Sequence, residues 1–463
     1  MFFVVARAAA ATPDRPKVAP DARFEAIRTD SSAYELLGRL CDDWGGRLTG
    51  SAANNGAMAQ LAAALRELGL DPHFDRFRMP GWVRADDTAT MVAPVERRLR
   101  VAAVGYTNPS GAVTADVVDL GRGRDEDFAG RELRGRIGLL GPDANVPAGG
   151  VAAIAQLHGL SGILMTDRVA GGELLCRTGS FHGVPLAVPV FAITQEEGLW
   201  MQRLIRAGKP VRVRLHARSR CEEIETANLV VTLPGRTPER IVVGAHFDSW
   251  DLGQGAIDNG LGIAQLYALA KHLRSGAAAN LRTIELVWFN GEEEGLWGSR
   301  HEAAVAAGAP VAAMVNLDMV GYPLGVNALG CDNLLPELRR FAAGWPKSDL
   351  PDGVQNVCWM GSDHTSYQLA GVRCITFGAR IDPGVVRYYH DFADTFDKVD
   401  PKMVGDSAAM VAALAQFLAN DADLPVGRRT PAAVEADFAR AGLVSRLRAL
   451  GLLPPPKTSP SIP

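Results

Sequence analysis

From Thr226 to Phe377 the chain alternates short apolar, β-forming runs with helical patterns. Arg240-Ile-Val-Val-Gly-Ala245 reads as a strand, and Gly262 to Leu273 as an amphipathic helix that ends near Gly276. Arg282-Thr-Ile-Glu-Leu-Val-Trp-Phe289 is a second strand, followed by a helix from Gly295 to Ala307. Ala312 to Leu317 and Arg373 to Phe377 supply two more strands. Such alternation predicts an α/β fold with a mostly parallel central sheet flanked by helices.

In open α/β sheets, ligands bind beyond the carboxyl ends of the strands. Here those ends are acidic and carry histidine. The first strand runs into His246-Phe-Asp248-Ser-Trp-Asp251 and on to Asp258-Asn259. The second runs into Glu292-Glu293-Glu294, and the third into Asn316-Leu-Asp318. Asp363-His364, Tyr388-Tyr389-His390 and Asp394 follow. Carboxylates converging on one strand edge repel one another unless cations lie between them. Imidazole mixed with carboxylate suits zinc, and several carboxylates with two histidines suit two ions sharing a bridging group.

Each residue also has an ordinary reading. His246 alone would be a polar strand end, Asp318 a turn and His390 an exposed loop histidine. The three glutamates could start a solvated helix, since acids favour helix N-termini. Their convergence decides for the metal. Asp363, His364, Tyr388 and Tyr389 read either as groups near a developing oxyanion or as turn and packing residues. His73, His158, His182, His216, His272 and His301 read as structural or surface. Gly253-Gln-Gly255 is no phosphate loop, because the third glycine of G-x-G-x-x-G would fall at Asp258. No G-x-S-x-G elbow offers a serine nucleophile.

Charge excludes another class. Forty-eight Lys and Arg against 52 Asp and Glu leave −4 at neutral pH, which opposes nucleic acid as a partner. No run approaches the roughly 20 uninterrupted apolar residues of a membrane span. Six cysteines without a C-x-x-C pair argue against a thiolate zinc site and read mostly as buried small hydrophobes, with an oxidised pair among them as the alternative.

The 463 residues allow roughly three domains, or one large domain with an insertion. Residues 26–95 and 225–424 form the main domain, opened by a helix from Ala52 to Leu70. Residues 96–224 have the texture of an inserted, small β-rich unit. Residues 425–463 hold one helical pattern, Pro431 to Leu450, and a flexible tail. Residues 1–25 read as a signal remnant or a disordered tail: Met1-Phe-Phe-Val-Val-Ala6 is apolar but lacks a basic flank. A secreted or periplasmic location is expected, with the cytoplasm as the alternative.

The motifs G-x-H-x-D-S, E-E-x-G-L-x-G-S, N-x-D-M and H-x-x-x-D-T, from about Ser31 to Asn420, carry a resemblance. They are similar to those of the co-catalytic di-zinc exopeptidases, the group of bacterial leucyl aminopeptidases and carboxypeptidase Q. The run Asp248 to Ala256 and the insertion, which resembles a protease-associated lid, are nearest to carboxypeptidase Q. Asp258-Asn259 and Asn316 to Met319 look more like the aminopeptidase branch.

The resemblance implies two zinc ions per chain. His246, Asp258 and Asp318 would hold the first, and Asp258, Glu293 and His390 the second. Glu292 would be the general base. Asp248 would accept the other N–H of the His246 imidazole, and Asp394 would support His390 in the same way. The implied substrates are dipeptides or short peptides, with an aminopeptidase using the same centre as the alternative. A glutaminyl-cyclase-like acyltransferase with one zinc and a non-catalytic binding module are the remaining rivals. A homodimer is left open.

Overall fold

A computed structural model describes residues 22–455, apart from 108, 110 and 306–309. Nearly all of the expected signal remnant and the end of the tail lie outside the described residues.

The main sheet has eight strands in the order His73–Val83, Arg220–Leu233, Arg282–Phe289, Thr237–His246, Val311–Asn316, Cys374–Arg380, Tyr322–Asn327, Gly353–Gln355. The four strands from Arg282–Phe289 to Cys374–Arg380 run parallel to one another. Antiparallel pairings join the flanking strands to this centre, so the sheet is parallel in its middle and mixed overall. Register sets up the site. His246 pairs with Phe289, and Gly244 with Asn316, so three strands end at nearly the same level.

The helices Leu261–Leu273 and Pro401–Asn420 pack in the main core with Ile241, Val243, Leu286 and Val315. Pro401–Asn420 has the length and apolarity of a membrane span, but 78% of its apolar window is buried inside the protein. It is a core helix. Lys271 and His272 at the end of the first helix ion-pair with Asp30, and His301 pairs with Asp75, so two histidines read as structural do have acidic partners.

A second sheet follows the order Arg97–Leu99, Thr88–Ala93, Arg212–Ala217, Gly111–Asp119, Ile137–Leu140, Gly162–Thr166, Val190–Ile193, Val101–Ala103. It divides the chain nearer to 88 and 219 than to 96 and 224. Thr88–Ala93 pairs with Arg97–Leu99 and Arg212–Ala217, whereas Arg220–Leu233 returns to the main sheet. The strands Gly111–Asp119 to Val190–Ile193 are parallel, so the insert is itself partly α/β.

The single helix expected from Pro431 to Leu450 is two, Pro431–Arg440 and Val444–Ala449. Gly442 breaks it with φ +71°, a conformation glycine adopts at little cost. Val434, Phe438 and Leu447 pack together with Met360, and His182 of the insert meets the Leu450 carbonyl oxygen at 2.7 Å. All six cysteines are unpaired, four buried and two half-buried.

Candidate metal centre

His246 is the last residue of its strand, Glu292 and Glu293 follow Phe289 closely, and Asp318 lies two residues beyond Asn316. Asp258 sits in the Ala256–Gly260 turn that enters the helix Leu261–Leu273. His390 comes from the loop after the strand Cys374–Arg380. The parallel centre therefore delivers all of them to one edge.

Two groups of ligand atoms form there, His246 with Asp258 and Asp318, and Asp258 with Glu293 and His390; within each the atoms lie within 4.8 Å of one another. His246 Nε2 is 3.2 Å from Asp258 Oδ1 and 3.6 Å from Asp318 Oδ1. His390 Nε2 is 3.0 Å from Asp258 Oδ2 and 3.0 Å from Glu293 Oε2. Asp258 thus turns one oxygen toward each imidazole.

The donor set fits a pair of divalent cations. His246 Nδ1–H donates to the Asp248 carbonyl oxygen at 3.0 Å, and His390 Nδ1–H to that of Cys176 at 2.9 Å. That fixes the tautomer leaving each Nε2 lone pair toward the carboxylates, the usual arrangement of a metal-ligating histidine. Glu293 Oε1 is buried with no hydrogen-bond partner. Burial, with the Asp258 charge and against His390, pushes the Glu293 carboxyl up to about 7. Burial first, then the charges of Glu293, Asp318 and Asp363, push Glu292 well above the usual carboxylate range, His246 opposing. Such crowding is what a bound cation relieves.

Two supporting residues act differently from expectation. The Asp248 carboxylate is 3.9 Å from His246 Nδ1 and accepts instead from the backbone N–H groups of Glu292 and Glu293, at 3.1 Å each. Its own backbone carbonyl occupies the imidazole N–H, so the side chain is free to fix the glutamate turn. Asp394 does not touch the His390 ring. It accepts from the amides of Ile257 and Asp258 at 2.8 and 3.0 Å and so holds the turn carrying the shared carboxylate. Asp363 and His364 are fully buried behind the site. Burial holds the His364 imidazole down at about 4, and its Nε2 meets the Trp359 carbonyl oxygen.

The sequence assigns no role to the other organisers. Arg47 is completely buried and donates to the carbonyls of Phe247, Gln254 and Gly255 at 3.0, 2.7 and 2.9 Å. Asn259 joins two ligand loops: its Nδ2 donates to Leu317 O, and its Oδ1 accepts from Gly262 and Met319. Glu294 accepts from the Trp82 amide. Leu296, Met319 and His390 have φ between +50° and +65°, unfavourable for residues with a Cβ. His390 is itself a proposed ligand, Met319 follows Asp318, and Leu296 N–H donates to Glu292 O at 3.0 Å.

The inserted domain closes on the His390 loop. Cys176 N–H donates back to His390 O at 3.0 Å, and Leu174 N–H to Asp391 Oδ2 at 2.6 Å. Arg387 pairs with Glu173 at 2.5 Å and donates to Ala170 O. On the other side Arg84 grips Asp251 with contacts of 2.8 and 2.7 Å.

Known proteins resemble the chain around this edge. Residues 228–415 match the model of Peptidase family M28. The chain is a metallo-exopeptidase. The chain is similar to mouse carboxypeptidase Q, 26% identical over 413 residues, covering 84% of this chain and 86% of the relative. It is also similar to aminopeptidase YwaD of Bacillus subtilis, 25% identical over 396 residues, covering 82% and 83%. A peptidase M28 precursor of Shewanella amazonensis shares the fold, with TM-score 0.75 and 23% identity over 88% of this chain and 97% of the other.

Proposed function

We propose that the protein is a zinc-dependent exopeptidase that hydrolyses dipeptides or short peptides, with Glu292 as general base. The observation that carries this reading is Asp258, whose two oxygens face two separate imidazoles, each backed by a further carboxylate. His246, Asp258 and Asp318 would hold one ion, and Asp258, Glu293 and His390 the other. Bound zinc supplies positive charge that acidifies a water and polarises a scissile carbonyl.

The chain's own residues do the rest. Glu292 takes a proton from the attacking water and returns it to the leaving amine. Asp248 fixes both glutamate amides, keeping the base and its ligating neighbour in register. The insert, clamped through Glu173 to Cys176, covers one side of the strand edge and favours short substrates over folded protein. Likeness to carboxypeptidase Q supports a dipeptidase reading. Likeness to an aminopeptidase over a comparable span supports the second reading, in which a free α-amine suffices.

Metal analysis combined with a substrate panel separates them. Two zinc ions per chain and faster cleavage of a free dipeptide than of an aminoacyl arylamide support the dipeptidase. Faster arylamide cleavage establishes the aminopeptidase, and absence of any hydrolysis by zinc-loaded protein removes both.

A further inference from the structure

Beside the His390 loop lies a cavity of about 450 Å³. It opens where the insert's strands Ile137–Leu140 and Gly162–Thr166 end, the carboxyl-end crevice where parallel sheets receive ligands. Its lining includes Asn145, Arg168, Arg177 and Cys176 from the insert, Tyr389 from the metal-centre loop and Arg446 from the C-terminal helix Val444–Ala449. Three separate parts of the chain thus each contribute a wall, and two of them contribute arginine. No acidic side chain lines it.

The site is built around a buried anchor. Asp167, completely buried, accepts from the amides of Arg168 and Leu175 at 2.8 and 2.7 Å and faces Arg177 Nη2 at 3.4 Å. That carboxylate sets Arg177 beside the cavity and spends its charge there. Arg168 and Arg446 have no carboxylate partner among the described residues, and guanidinium groups gathered without counter-charge attract an anion. Two lining residues touch a proposed ligand. The Tyr389 ring centroid lies 3.8 Å from that of His390, and the Cys176 carbonyl accepts the His390 N–H.

Resting on the exopeptidase reading, we infer that this arginine-lined cavity binds a substrate carboxylate, making the enzyme selective for peptides bearing an anionic group on the insert side of the metal centre. That group is either the free C-terminus of a short peptide or an acidic side chain. Guanidinium and carboxylate match in planar geometry, whereas an amide or arylamide leaves the arginines without a counter-ion.

The test compares the wild type with an Arg168→Ala/Arg446→Ala variant; both residues are exposed and support no core packing. KM is measured for a free dipeptide, its C-terminal amide, and an amidated dipeptide with an acidic second residue. Equilibrium binding of the same three peptides to zinc-loaded Glu292→Gln protein supplies a readout that needs no turnover. In the wild type, a carboxylate should improve binding about 10-fold or more over the plain amide, the scale of a charged hydrogen bond. The double variant should bring that ratio close to one. A ratio carried by the free C-terminus identifies the terminus as the ligand, and one carried by the acidic amide identifies the side chain. Equal binding of all three peptides to the wild type, or an unchanged ratio in the variant, overturns the inference while leaving peptide hydrolysis intact. Loss of hydrolysis in the wild type, with the binding ratio still present, overturns the exopeptidase reading alone.

Discussion

The Nδ1–H of His390 donates to the carbonyl oxygen of Cys176, 2.9 Å away. A proposed ligand of the second ion therefore takes its orientation from the inserted domain and not from its own sheet. The return bond from Cys176 N–H to His390 O, at 3.0 Å, makes the pairing reciprocal. Any metal held by His390 would consequently be linked to docking of the insert.

That linkage is open to measurement. Asp391→Ala removes the acceptor of the buried Leu174 amide and of Ala393 N–H without touching a ligand atom. Zinc affinity at one of two sites should fall by about 10–100-fold, the usual scale for losing an outer support of a metal ligand, while the other site is spared. Competitive zinc titration resolves the two steps. Equal weakening of both sites would argue that Asp391 serves general stability only.

The base can be separated from the ligands. Glu292→Gln should keep two zinc ions per chain and lose about 10²–10⁴-fold in kcat. Metal content by atomic emission and turnover on the same sample decide it. Near-normal turnover with full metal would remove Glu292 from the proton transfer.

Sharing of the Asp258 carboxylate predicts an asymmetry among ligand variants. Asp258→Ala should strip both ions, whereas Asp318→Ala and Glu293→Ala should each weaken one ion selectively. Zinc stoichiometry after dialysis gives the answer, and retention of one tightly held ion in Asp258→Ala would contradict the shared bridge.

A pH effect arises away from the metal. Burial, reinforced by the charges of Glu285 and Asp75 and opposed by Arg240, pushes the Glu302 carboxyl up to about 7. An unfolded glutamate titrates near about 4.3, so the folded state binds the extra proton between those values. Its stabilising contribution is full below about pH 4 and is lost as pH rises through 7. Glu302→Gln should therefore be more stable than wild type at pH 8, with the advantage shrinking toward pH 5. Melting temperatures would register about 2–4 °C per kcal/mol for a domain of 150–250 residues. A pH-independent difference would rule out the proton linkage.

The central strands were legible because Arg282–Phe289 and Val311–Asn316 are mostly apolar, and so were the acids that follow them. Pro401–Asn420 escaped notice for the opposite reason. It is buried on nearly all sides, so no polar stripe gives it the usual helical rhythm. In the strands His73–Val83 and Arg220–Leu233, charges such as Arg78 and Glu223, which pair across the strands, break up the apolar alternation that marks a strand in sequence. Residue types at the site could be read from spacing, but second contacts could not. Nothing in the sequence shows that Asp248 turns from the imidazole to the glutamate amides, or that Asp394 grips the Asp258 turn and not His390. Those choices depend on which backbone N–H groups the folded loops leave pointing inward.

His390 is the last of the five proposed ligands in chain order, and its orientation depends on Cys176, made much earlier. During synthesis the insert can fold before the loop it must hold has left the ribosome. A second ion shared through Asp258 would have to wait until that late segment arrives and docks. The proposed second ligand group is thus completed by contacts between segments far apart in the chain, and its geometry is set only once both have folded.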